Sequence, residues 1–154
     1  MMKVYVDTSV FGGCFDIEFE EWSNRLMEEF RLGLKVVVIS DLTLRELEEA
    51  PLNVRNLVEK IPEEYREFVI LNDEARKLAR YYIEEGVASE EHLVDAQHIA
   101  IATASRVDVL VSWNFGHIVN LTRIRLYNSV NLKYGYPLLE IRSPREVLFE
   151  RQEI

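Results

Sequence analysis

The chain has 154 residues, 48% hydrophobic and 29% charged, which suits one globular domain with a single sizeable core. Its 18 lysines and arginines face 27 aspartates and glutamates, a formal net charge of −9. That surface repels phosphate backbones at long range and argues against a general nucleic-acid binder, although a local basic strip or a bound divalent cation overrides the average. No apolar run reaches the roughly 18–20 residues of a membrane span, the N-terminus lacks a secretory pattern, and the lone Cys14 excludes an internal disulfide. A cytoplasmic protein with no membrane partner is the expectation.

The pattern along the chain alternates strand and helix. KVYVDT (3–8) reads as a strand and residues 17–32 as a helix ended by Gly33, a natural left-handed cap. KVVVIS (35–40) is a β-branched run typical of a strand buried on both faces. Short helices over 42–50 and 52–60 stop at Pro51 and before Pro62. EFVIL (67–71) reads as a strand, and 73–85 as a helix closed by Gly86. Ser89 is placed to cap a helix that opens on Glu90 and Glu91 and runs to about Arg106. DVLVSW (108–113) is a buried strand, 117–132 a helix and PLLEIR (137–142) a strand. SPRE (143–146) combines a Ser cap, Pro at the first helical position and Glu three residues after the cap, so a short helix follows. Strands separated by helices predict an α/β fold, a three-layer α/β/α arrangement around a parallel sheet of four to five strands. In such sheets ligand sites gather beyond the carboxyl ends of the strands.

Four polar residues have settings that point there. Asp7 ends the first strand beside Thr8 and Ser9, either as a cap for the following turn or as a ligand-facing carboxylate. Glu46 lies one turn into the helix after the second strand, able to point back to the sheet edge, with Glu49 farther off; a charged outer face is the plain alternative. Asp95 lies in LVDAQHIAIATA, a helix apolar or small nearly all round and therefore buried. An aspartate there is costly unless it is paired, with His98 at i+3 as the obvious partner, or bound to a cation. Asn114 follows the strand 108–113, either making the turn or lending its amide oxygen to a cation. Carboxylates gathered at one edge repel and resist joint ionisation. A hard divalent cation, Mg²⁺ or Mn²⁺, resolves the conflict, whereas one cysteine and three unspaced histidines make a poor zinc set. The chemistry that follows is phosphodiester hydrolysis by water. An aspartyl phosphate acceptor fits poorly, because Ser9 stands where such hydrolases need a second acid.

YVDTSVFGG, ISDLTLRELEEAP and LVDAQHIAIATASRVDVLVSWNFGHIVN, in this order, resemble the successive motifs of a PIN domain, and the resemblance spans residues 3 to about 142. The chain is similar in particular to the small PIN toxins of VapBC-type toxin–antitoxin modules. The resemblance implies a metal-dependent ribonuclease. Asp7, Glu46 and Asp95 match the family's acids, Thr8 and Ser9 the hydroxyl residues after the first aspartate, and Ser112 the hydroxyl residue closing the later strand. Asn114 falls where many members carry a fourth acid; its amide argues against full two-metal occupancy and leaves, beside it, the alternative of one metal ion held by Asp7 and Asp95 with Glu46 acting through water. Trp113 and Phe115 flank the site and are candidates for stacking on a base. Arg45, Arg123, Arg125 and Lys133 are the candidate cationic strip for RNA. The resemblance further implies a homodimer and an antitoxin partner. A catalytically weakened PIN-like module that binds protein or RNA is the competing reading.

Overall fold

The computed structural model describes residues 1–150. Five strands, β1 (Lys3–Val6), β2 (Val36–Ser40), β3 (Arg66–Val69), β4 (Val109–Val111) and β5 (Ile141–Arg142), form one sheet in the order β3-β2-β1-β4-β5. Every pairing is parallel. The order fixes where a site can form: after β1 the chain builds outward through β2 and β3, then returns to the other side of β1 with β4. The reversal lies between β1 and β4, and crevices for ligands open at such points.

Alternation along the central strands divides the interior in two. Val4 and Val6 of β1, with Val37, Ile39, Val109 and Val111, pack on one face against Leu26, Met27 and Phe30 of α2 (Glu20–Arg31). Tyr5, Val38, Leu110 and Ile141 pack on the other against α5 (Asp73–Glu84), α6 (Leu93–Ala104) and α7 (Leu121–Lys133). The predicted three-layer α/β/α architecture is therefore the observed one. Helix α6 is buried from Ala96 through Thr103 save for Gln97, as its composition requires. Among the described residues no helix is long and apolar enough to cross a membrane.

Several boundaries differ from the sequence pattern. Thr8–Gly13 is a helix, α1, where only the end of a strand was expected. Its Gly13 permits a close approach: a Cβ there would stand 2.5 Å from Ser23 Oγ and 2.6 Å from Trp113 Nε1. The segment 52–60 divides into α4 (Leu52–Arg55) and a 3₁₀ turn at Val58–Lys60. Ser89 makes no side-chain cap; a 3₁₀ turn over Glu90–His92 precedes α6. Helix α7 starts four residues later than its pattern, where the Asn120 side chain accepts from Thr122 N and Arg123 N. Strand β5 keeps only two residues of the expected six. The closing helix α8 (Pro144–Val147) carries the full capping box between Ser143 and Glu146.

The second layer holds a buried ion pair. Lys35 is fully buried and Glu29 nearly so, and the two side chains bond directly. Glu29 Oε2 also accepts from Phe149 N at 3.1 Å, and Lys35 Nζ lies 3.5 Å from the Phe149 ring centroid. This clasp fastens the segment after α8 to α2.

Candidate active site

Asp7 occupies the N-cap position of α1, but its side chain makes no cap bond there. Its carboxylate instead accepts Ser9 Oγ on Oδ1 and Ser112 Oγ on Oδ2, each at 2.6 Å. The two serines are fixed in turn: Ser9 Oγ accepts from Trp113 N at 2.9 Å, and Ser112 Oγ from Asn114 N at 2.9 Å. Each hydroxyl therefore has its proton free to give to Asp7. The ends of β1 and β4 are locked together at the reversal in the sheet, with a buried carboxylate between them. Burial pushes the Asp7 carboxyl above the usual carboxylate range; His98 and the hydroxyls of Ser112 and Ser9 oppose this, and the charge of Glu46 adds to it. Among the described residues no cation bonds it directly to offset its burial.

Glu46 reaches the same edge from α3 (Asp41–Glu48), which starts at Ser40, whose side chain accepts from Thr43 N. Glu46 Oε1 lies 2.6 Å from His98 Nε2, and His98 Nδ1 lies 2.7 Å from the Tyr5 hydroxyl. That hydroxyl lies 2.8 Å from Ser40 Oγ. With the imidazole proton on Nε2, each member of this chain donates once: Ser40 to Tyr5, Tyr5 to His98, His98 to Glu46. Partial burial pushes the Glu46 carboxyl up, but the bond from His98 holds it below its ordinary value. Thr8 Oγ1, near Glu46, is buried and finds no hydrogen-bond partner among the described residues.

The remaining predicted residues are placed differently. Asp95 lies on α6 one turn before His98, yet His98 bonds Glu46, and the Asp95 carboxylate lies 3.6 Å from His92 Nδ1. Asn114 Oδ1 accepts from His117 N at 3.0 Å, so its amide shapes the turn after β4. Trp113 is packed inside, stacked on Phe19 at 4.2 Å between centroids and donating from Nε1 to Ser23 Oγ, while Phe115 stays exposed. Arg45 and Arg125 are exposed, Arg123 is half-buried, and Lys133 is engaged by Glu85 at 2.5 Å. Sequence reasoning gave Tyr5 no part in the site. Its signal was a hydroxyl inside a valine-rich strand, which must find a partner when buried.

Among the described residues no three His, Cys, Asp or Glu side chains assemble as a metal-ligand set. The donor chemistry at Asp7 and Glu46 still suits a hard dication: two carboxylates close enough to repel, and the unpartnered Thr8 hydroxyl beside them. Mg²⁺ takes only one or two carboxylates directly and fills the rest with water, so two suffice. A buried carboxylate held only by hydroxyl donors can accept a proton or such an ion.

No family model and no curated protein matches the sequence. Among solved structures, the chain is similar to VapC20 of Mycobacterium tuberculosis, described as a sarcin–ricin loop cleaving toxin, with a TM-score of 0.55 and 16% identity. The likeness covers 73% of this chain and 91% of that one. At that identity it shows a shared fold: the three-layer sheet described above is PIN-like.

Proposed function

We propose that this protein is a divalent-metal-dependent endoribonuclease of the VapC type, a single PIN-like domain acting in the cytoplasm as the toxin of a toxin–antitoxin module. The observation that carries the reading is the Asp7 carboxylate, buried at the reversal in the sheet and held by Ser9 and Ser112. The fold shared with an RNA-cleaving toxin supports it. Asp7 and Glu46 would hold Mg²⁺ or Mn²⁺, with Asp95 contributing once its side chain leaves His92. The ion, when bound, supplies Lewis-acid stabilisation of charge developing on a phosphoryl oxygen. The chain itself keeps Asp7 oriented through two hydroxyls and keeps Glu46 ionised through His98. A homodimer and an antitoxin that covers the acidic crevice belong to the same reading.

The competing reading, a weakened PIN-like module that only binds a partner, draws on the amide of Asn114 and the absence of a three-residue ligand set among the described residues. Calorimetry with Mn²⁺ and an RNA cleavage assay separate the two. The nuclease reading expects Mn²⁺ binding and metal-dependent cleavage in the parent, both lost in Asp7→Asn and weakened in Asp95→Asn without loss of fold. Equal Mn²⁺ affinity in parent and Asp7→Asn contradicts it.

A further inference from the structure

A cavity of about 380 Å³ opens near the starts of α6 and α7, walled by the Gly86–Ser89 segment, His92, His117, Arg123 and Tyr127. The rings of His92 and His117 are stacked, with centroids 3.8 Å apart and planes 26° from parallel. This pair joins the two elements that carry predicted site residues. His92 Nδ1 lies 3.6 Å from Asp95 Oδ2, and His117 N donates to Asn114 Oδ1. The cavity therefore borders Asp95 and Asn114, two of the residues that the sequence pattern assigned to the site.

Among the described residues the one formal charge on its wall is the Arg123 guanidinium, with the Asp95 carboxylate behind His92. No carboxylate lines it, in a chain of net charge −9. Three other cavities on the surface each carry at least one acid: Glu48 in one, Glu74 in the next, Asp16 in the third. Arg123 is held rather than loose. It sits in the first turn of α7, where Asn120 caps the helix, and its Nη1 donates to Val87 O at 2.5 Å. A guanidinium has five N–H donors in a planar fork, a shape that matches phosphate oxygens. One bond to a carbonyl leaves most of them for a ligand. Unpaired RNA bases are typically read by stacking on aromatic faces, histidine included. The volume is near the lower end of small-ligand sites, about 300–1,000 Å³, and accommodates one nucleotide.

We infer that this cavity is the subsite for the nucleotide flanking the scissile bond of a single-stranded RNA, with Arg123 on its phosphate and the His92–His117 stack against its base. The inference rests on the ribonuclease reading and names where its substrate is gripped. It assigns Arg123 a role distinct from the exposed Arg125 and from Lys133, whose ammonium is already engaged by Glu85.

The test is fluorescence anisotropy of a labelled ten-nucleotide single-stranded RNA in EDTA, with cleavage kinetics in Mn²⁺ alongside. Arg123→Gln and His117→Ala should each weaken RNA binding on the order of tenfold, the scale of one lost stacked base, and raise KM more than they lower kcat. His117→Phe should restore most of the affinity, because it restores an aromatic face. Lys77→Ala, on the exposed face of α5, should bind as the parent does. His117 is partly exposed, so its variants keep the test decisive even if Arg123→Gln disturbs the Val87 loop. A parent that cleaves RNA while both variants bind it with parental affinity overturns the subsite alone. A parent that neither binds nor cleaves overturns the ribonuclease reading and the subsite with it.

Discussion

Ser112 Oγ donates to Asp7 Oδ2 across 2.6 Å, joining residues 105 apart in sequence. The bond spans the reversal between β1 and β4 and replaces part of the water that burial takes from the carboxylate. Ser112→Ala removes one of two hydroxyl donors from a buried charge. The expected cost is about 1–3 kcal/mol, the usual range for a buried polar group left short of a partner. Urea unfolding of parent and variant measures it, and an unchanged midpoint contradicts the role given to this serine.

Asp7 is expected to cost the fold stability at neutral pH. Burial raises its folded pKa above the unfolded value of about 3.9, so the folded state holds the proton longer. Its contribution is therefore most favourable below the unfolded pKa and declines as pH rises through the folded one. Asp7→Asn should raise Tm at pH 7 and flatten the fall in Tm between mildly acidic and neutral pH. Mn²⁺ should raise the parent's Tm and leave that of Asp7→Asn unmoved. A variant less stable than the parent at pH 7 would contradict this sign.

His98 connects the Tyr5 hydroxyl to Glu46 and is almost fully buried. His98→Phe keeps the ring and removes both nitrogens. Glu46 should then titrate at a higher pH, since partial burial raises it and the groups that lowered it are mostly gone. Carbon-13 chemical shifts of the Glu46 side chain report this directly; a midpoint that stays put rules out His98 as the cause of the shift.

Lys35 is buried and depends on Glu29 for its charge partner. Glu29→Ala leaves the ammonium uncompensated, at a cost of about 3–5 kcal/mol, whereas replacing both partners with well-packed apolar residues should cost far less. Thermal melts of the single and double variants distinguish the two. Equal losses in both would mean that packing around Phe149, not the charge, sets the stability here.

The sequence alone settled what short-range physics controls. β-branched runs gave strands, Gly33 and Gly86 ended helices with positive φ, and SPRE produced its capping box. The strand–helix alternation sufficed for a parallel sheet and placed Asp7 at the end of its first strand, and the small apolar residues of α6 showed that helix to be buried. Tertiary structure decided which polar groups meet. His98 had a carboxylate at i+3 but bonds Glu46, 52 residues away, because the sheet order brings α3 and α6 to one edge beside Tyr5. Asp95, displaced from that pairing, lies by His92, which stacks on His117 to wall a cavity no local pattern announces. Periodicity and capping act within a few residues, whereas side-chain pairing across the fold is set by strand order and by which buried donor still lacks an acceptor.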